Sequence, residues 1–162
     1  MLRLGNALHG LTAALLLAMA VIGGPAWAQQ LDQAEAVQLA IKGHDPVAYF
    51  TDGRPLVGRA EFQYTWDEAR YRFASAQHLT LFRTDPDRYV PQFAGSCAMA
   101  MSKGMKIEAN PENWLISNGR LFVFASSDSA AKFAADPDRM VAAGDANWQQ
   151  LKDAPIGTRL VR

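Results

Sequence analysis

Residues 70–90 read RYRFASAQHLTLFRTDPDRYV, and the same pattern returns 51 residues later, at 121–141, as LFVFASSDSAAKFAADPDRMV. The two stretches share Phe-Ala-Ser near the start, a central Phe, and Asp-Pro-Asp-Arg near the end, with no gap between these matches. A fixed spacing of this kind is the signature of a repeated supersecondary unit. The sequence therefore predicts one small unit that occurs twice.

The first copy predicts a β-hairpin followed by two capped helices. Aromatic residues alternate along 62–66 and again along 71–73, on either side of a turn at 67–70, which is typical of paired strands with an aromatic face. Ser75 is placed to cap the next helix. Asp85 and Pro86 are placed to end that helix and to start another, at the N-cap and N1 positions.

The second copy predicts the same order. Residues 114–117 and 121–124 flank Asn118-Gly119, which favours a type I′ hairpin turn. Both strands are apolar on both faces, so this hairpin is expected to be the more deeply buried one. Ser126 caps one predicted helix and Asp136-Pro137 opens the last.

These patterns predict an α+β fold in which two units, about 43–90 and 94–141, pack as one domain over residues 41–151. Residues 29–40 are expected to form an arm and a strand, with Val37 to Ile41 as that strand, and 152–162 a tail. Val47 to Phe50 is a short apolar run that predicts another strand. If the units pack about a pseudo-twofold axis, loops 44–48 and 95–99 are expected to approach each other.

Residues 1–28 predict a secretory signal peptide. Arg3 precedes an apolar run that is too short to span a membrane, and Ala26-Trp27-Ala28 fits a cleavage site. The mature chain is then expected to begin at Gln29, to be periplasmic or secreted, and to have no membrane span. Its formal charge of about −1, with scattered basic residues, argues against nucleic acid as a partner.

The run Gly43-His44-Asp45-Pro46-Val47-Ala48-Tyr49-Phe50, followed by Tyr71 to Ser75 and by the Asp85-Pro86 helix, resembles YHS-domain proteins, in particular exported bacterial ones that also carry a later Gly-x-Cys-Ala. Related TRASH-like modules bind metals through three cysteines, and this resemblance places Ala48, Ala74 and His78 at those positions. A structural metal site needs about four ligands. Of these three positions only His78 offers a potential ligand, so the cysteine cage of that family is not expected here.

The segment from Cys97 to Met105 carries one thiol and three thioethers, which form a soft-donor set suited to Cu(I). In an extended segment, Met99 and Met101 would share a face with Cys97. The alternative is that the methionines fill an irregular part of the core and that Cys97 is a small buried apolar group.

His44 beside Asp45 is the second candidate, because a histidine facing Cys97 would complete a metal site or lower the pKa of the thiol. Its alternative is that Asp45 caps the following turn while His44 faces solvent. His78 is expected at the surface or an interface, and the two Asp-Pro-Asp-Arg sequences are interpreted as helix caps. The aromatic hairpin face is interpreted as core or groove lining.

The sequence thus predicts an exported binding protein rather than an enzyme. The leading hypothesis is copper handling, with Cys97, Met99, Met101 and His44 as ligands of Cu(I). The second is a metal-free module that docks to an envelope protein or a small ligand through its aromatic hairpin face. A Cys97-dependent enzyme is the third, and no nucleophile elbow, phosphate loop or dinucleotide fingerprint occurs to support catalysis.

Overall fold

A computed structural model describes residues 38–161 of the chain. The expected signal peptide at 1–28 and the arm up to residue 37 lie outside the described residues. Within the described part, two small sheets and six α-helices give a mixed α+β structure, so the expected fold class is confirmed at that level. None of the described helices has the length and apolar character needed to cross a lipid bilayer.

The first half of the described chain contains a three-stranded sheet and three short helices. Strand β3 lies between β1 and β2, parallel to β1 and antiparallel to β2. In chain order the elements are β1 (Gln38–Leu39), α1 (Ala48–Thr51), β2 (Arg59–Trp66), β3 (Ala69–Phe73), α2 (Ala76–Thr84) and α3 (Pro86–Tyr89).

The second half repeats this order with one difference at its start. Pro91 makes a parallel bridge to Leu121, at the place where β1 pairs with β3 in the first half. The remaining elements are α4 (Ala98–Ser102), β4 (Asn110–Ser117), β5 (Arg120–Phe124), α5 (Ser127–Ala134) and α6 (Pro137–Leu151), with β4 and β5 antiparallel.

Helix caps recur in both halves, as the sequence predicts. Ser75 accepts a hydrogen bond from the backbone N–H of His78 at 3.1 Å, and Ser126 accepts one from Ser129 at 3.2 Å. Asp85 and Asp136 cap α3 and α6 in the same way, each with a proline at the start of the helix. These side chains satisfy amide groups that the first turn of a helix leaves without a partner.

Both predicted hairpins form. The second turns through Asn118 and Gly119 with φ of 49° and 71°, as a type I′ turn requires. The first turns through Asp67 and Glu68, also at positive φ, so its turn is two residues long rather than the four expected. All of Leu121 to Phe124 is fully buried, which confirms the deeper burial predicted for the second hairpin.

Each half has an aromatic cluster around one helical phenylalanine. The ring of Phe82 lies 4.8 Å from Tyr71 and 5.0 Å from Phe73, measured between centroids. The ring of Phe133, 51 residues after Phe82, lies 5.1 Å from both Phe122 and Phe124. These two helices are therefore held to their hairpins by the same apolar contact.

Two strand predictions are wrong. The run Val47 to Phe50 contributes to helix α1 because the Asp45 carboxylate accepts from the amides of Val47 and Ala48 and starts a helical turn. The strand expected up to Ile41 ends at Leu39, since Ile41 adopts φ of 38° and the chain turns there.

That turn has a counterpart in the second half. Segments Ala40–Gly43 and Gln92–Gly95 each contain two non-glycine residues and then a glycine at positive φ. We call these segments the left-handed turns. They touch each other, because a Cβ added to Gly95 would lie 3.0 Å from the Cγ2 atom of Ile41.

The C-terminal residues pack along the segment that follows α4. Lys106 donates its backbone N–H to the carbonyl of Thr158, and Leu160 donates to that of Gly104. The Lys106 ammonium group also donates to the carbonyls of Lys152 and Ala154, at 2.6 and 2.8 Å. Burial lowers the pKa of Lys106, and the charge of Asp153 opposes that effect. Lys106 thus holds the residues that follow α6 against the segment that follows α4.

Candidate functional site

The segment expected to form a soft-metal site is helical. Residues 98–102 form helix α4, with Cys97 at its N-cap, so the expectation of an extended segment is wrong. Residues four apart share a helix face, and residues two apart lie on nearly opposite sides. Met99 and Met101 therefore lie on different sides of α4, and the Met101 amide donates to the carbonyl of Cys97, one helical turn before it. All three are buried, Cys97 to 1% exposure and Met101 to 0%.

His44 has both ring nitrogens next to protein groups. Its Nδ1 atom lies 3.2 Å from the carbonyl oxygen of Ile41, and its Nε2 atom lies 3.4 Å from a carboxylate oxygen of Glu112. The side chain is 16% exposed, so the alternative of a solvent-facing His44 is wrong. The companion expectation, that Asp45 caps the following turn, is confirmed by its bond to the Val47 amide at 2.8 Å.

Asp45 is a fully buried carboxylate with a complete set of partners. One oxygen accepts from the amides of Val47 and Ala48, at 2.8 and 3.4 Å. The other accepts from the amide of Ala74 at 2.7 Å and lies 2.6 Å from Nδ1 of His78. Because a carboxylate only accepts, the His78 Nδ1 atom carries the proton and donates.

The other nitrogen of His78 faces the end of helix α1. Its Nε2 atom lies 3.5 Å from a carboxylate oxygen of Asp52 and 3.4 Å from the hydroxyl oxygen of Thr51. That hydroxyl group also lies 2.7 Å from the same Asp52 oxygen. The His78 side chain is 13% exposed and that of Asp52 is 33% exposed, so the group opens to solvent on this side. His78 is thus mostly buried rather than a surface residue.

A cavity of about 290 Å³ lies where the two left-handed turns meet. Pockets that bind small molecules are usually concave and hold a few polar groups among apolar walls. Lys42 and Glu108 form an ion pair at 3.2 Å and both line this cavity. Other lining residues include Ile41, Ala94, Ser96 and Ala154.

The aromatic face of the first hairpin is used for packing. Phe62, Tyr64 and Trp66 are partly buried against the core, and the Tyr64 ring lies 6.4 Å from Phe82. Burial, together with the charge of Asp67, raises the pKa of Tyr71 on this hairpin to about 12. Lining of the core is therefore the role that the structure gives these rings.

Sequence reasoning missed the pairing of Asp45 with His78. The two residues are 33 positions apart, and no local period connects them. A signal was present in the internal repeat, since Ser129 stands 51 residues after His78 and the structure places Cys97 in the position of Asp45. These two differences between otherwise similar copies marked the pair, although not their contact.

Among residues 38–161, no three side chains of the His, Cys, Asp and Glu types are grouped as a complete metal cage. Comparison of the chain with protein-family models, with curated proteins and with solved structures gave no match.

Proposed function

We propose that this chain is an exported binding protein of two YHS-like units, and that it binds a small polar ligand in the cavity between the left-handed turns. The two-unit interpretation is supported by the recurrence of hairpin, capped helix and second capped helix at a spacing of 51 residues. Export is supported by the pattern of residues 1–28. Mass spectrometry of the secreted protein tests export, since cleavage after Ala28 leaves Gln29 as the first residue.

The observation that carries the ligand proposal is the backbone of the two turns. Ile41, Lys42, Phe93 and Ala94 all have φ between 38° and 57°, although none is glycine. The left-handed region costs an ordinary residue roughly 1–2 kcal/mol. Residues held there cluster at ligand clamps and active sites. Ile41, Lys42 and Ala94 all line the cavity, so the strained positions and the cavity coincide.

The charges around the cavity indicate the class of ligand. The ammonium group of Lys106 is occupied by two carbonyl groups, whereas the Lys42 and Glu108 side chains are more than half exposed. An exposed ion pair contributes little stability, so a ligand can replace either partner at little cost. A cation and an anion side by side suit a small zwitterionic molecule, such as a free amino acid or a dipeptide.

The test is calorimetric titration of the mature protein with a set of free amino acids and dipeptides. A ligand is expected to bind the native chain and Ala60→Phe, an exposed control outside the cavity, but not Ala154→Phe, which fills the cavity with a ring. Lys42→Gln is expected to weaken the same titration about tenfold. No binding by any member of the set would reject this ligand class, and binding that persists in Ala154→Phe would reject the cavity.

Copper binding is the second candidate, favoured by the position of Cys97 at the N-cap of α4 and of Met101 one helical turn further on. Two soft donors are enough for Cu(I). His44 is a weaker candidate, since both its nitrogens already have partners. Anaerobic competition against a Cu(I) chelator is expected to show binding that is lost in Cys97→Ser and Met101→Leu. Met99→Leu is the matched control and should bind as the native chain does; equal loss in all three would contradict a two-donor site.

A further inference from the structure

We propose that His78 and Asp52, with the hydroxyl group of Thr51 beside them, form an open binding site for a divalent cation of the zinc class, supported from behind by the buried carboxylate of Asp45. The site lies at the end of helix α1 and does not include the cavity-lining residues. Of these residues, only His78 falls at a cysteine position of the YHS resemblance.

The imidazole of His78 is oriented as a metal ligand needs to be. Asp45 fixes the protonated Nδ1 atom at 2.6 Å, which leaves the lone pair of Nε2 directed towards Asp52 and Thr51. A ligating histidine almost always donates its second nitrogen to a carboxylate or carbonyl group in this manner. Asp45 itself cannot rotate, because backbone amides hold both of its oxygens.

The spacing of the outer atoms fits a coordination shell. The His78 Nε2 atom is 3.5 Å from the Asp52 oxygen and 3.4 Å from the Thr51 oxygen. Those distances exceed the roughly 2.7–3.2 Å of a good N–H···O hydrogen bond. Two atoms that bind zinc at about 2.0–2.1 Å with tetrahedral angles are separated by about 3.3 Å. A cation between His78 and Asp52 therefore requires only small side-chain movements.

The second half shows that the fold does not need this cluster. The last residue and the C-cap of α4 are Ser102 and Lys103. In α1 the same two positions hold Thr51 and Asp52. Ser129 occupies the place of His78 in the first turn of the capped helix. A buried charged group is costly, so its presence in one half alone is better explained by a function than by the requirements of the scaffold.

The site is partial, and its remaining positions would hold water. Only one imidazole and one carboxylate coordinate directly, which agrees with the lack of a three-residue metal cage among the described residues. The exposed side of Asp52 lets a cation enter from bulk solvent. An exchangeable site of this kind suits transient metal binding rather than permanent structural binding.

Calorimetric titration of the mature protein with Zn²⁺, in a buffer that does not chelate the metal, tests the proposal. One saturable site is expected, with affinity lowered more than tenfold in His78→Gln and in Asp52→Asn. Asp45→Asn is expected to lower it about tenfold while leaving the first ligands in place, because loss of an outer-shell carboxylate typically costs 10–100-fold. His44→Gln is the matched control, since His44 also faces a carboxylate, and its affinity is expected to be unchanged. Unchanged affinity in Cys97→Ser would exclude the thiol group as a ligand.

Asp52 is solvent-accessible, so Asp52→Asn is informative even if His78→Gln or Asp45→Asn unfolds. Circular dichroism without metal shows whether each variant retains the native helix content. The proposal is overturned if Zn²⁺ shows no saturable binding to the native chain. It is overturned equally if folded Asp52→Asn binds as tightly as the native chain, or if His44→Gln loses the same affinity as His78→Gln.

Discussion

The two halves of the described chain build the same hairpin and capped helices, and they differ most in their buried polar groups. The first half encloses Asp45, which bonds to His78 and to three backbone amides. The second half has Cys97 and Ser129 at the corresponding positions, since the amides of Asp45 and Cys97 make equivalent hydrogen bonds to Leu56 and Ile107, and it reaches the same arrangement of elements. The caps and aromatic clusters, which both halves share, are therefore what the unit needs in order to fold. The buried Asp45–His78 pair is an addition in the first half.

The aromatic clusters are the shared part, and breaking either should give the largest effect. Phe82→Ala and Phe133→Ala are each expected to lower the free energy of unfolding by about 3–5 kcal/mol, because both rings are fully buried and leave a cavity. Urea denaturation measures the loss. A change below about 1 kcal/mol at either position would mean that the two halves do not depend on the same contact.

Asp45 is the part that differs, and its removal should cost less than a core ring. Asp45→Ala leaves the amides of Val47, Ala48 and Ala74 without their acceptor, which is expected to cost about 3 kcal/mol. Cys97→Ala, at the corresponding position, removes only a buried thiol group and is expected to cost about 1 kcal/mol. Equal losses in urea denaturation would remove the asymmetry between the halves.

The Ser caps offer a finer comparison. Ser75→Ala and Ser126→Ala are each expected to lower the free energy of unfolding by about 1 kcal/mol, since each hydroxyl group satisfies one helical amide. Glycine at either position restores much of the loss, because glycine is itself tolerated as an N-cap. A cap effect in only one half would indicate that the helix in the other half is held by packing alone.

The two halves also differ in buried phenol groups. Tyr49 and Tyr71 lie in the first half, and the residues 51 positions later are Ala100 and Phe122. Burial and the charges of Glu112 and Asp45 raise the pKa of Tyr49 above its ordinary value of 10.0, and Tyr71 reaches about 12. Their stabilisation is complete below pH 10 and is lost as the pH rises, because the unfolded phenols ionise first.

Urea denaturation between pH 9 and 11.5 is expected to show this loss, and Tyr49→Phe should make it less steep. Lys106 acts in the opposite direction, because its pKa is lowered on folding, so the difference between the native chain and the variant is the informative quantity. An unchanged slope in Tyr49→Phe would show that this phenol does not contribute.

The sequence predicted what is local and repeated. The caps at Ser75 and Asp85 and the Asn118-Gly119 turn depend on neighbouring residues, and each formed as expected. Val47 to Phe50 failed because a four-residue apolar run fits a strand or a buried helical turn equally well. The contact that decided between them came from Asp45, whose role as a helix-starting acceptor depends on its burial.

The site was predicted less well than the fold, and for a related reason. The predicted convergence of Cys97, Met99 and Met101 assumed an extended backbone, whereas residues 98–102 are helical and direct Met99 and Met101 to different sides. The Asp45–His78 pair requires two distant segments to meet, which a single sequence does not encode in any period. Only the contrast between the two copies indicated it.

The backbone of the left-handed turns suits D residues better than the L residues that occupy it. At Lys42 and Ala94 the backbone occupies the mirror image of the ordinary helical region, which a D residue adopts without steric cost. A semisynthetic chain with D-alanine at position 94 would keep the same side chain and turn with less strain. Evolution, limited to L residues, has glycine as its usual means of relieving that strain, and at Ile41, Lys42, Phe93 and Ala94 this chain does not use it.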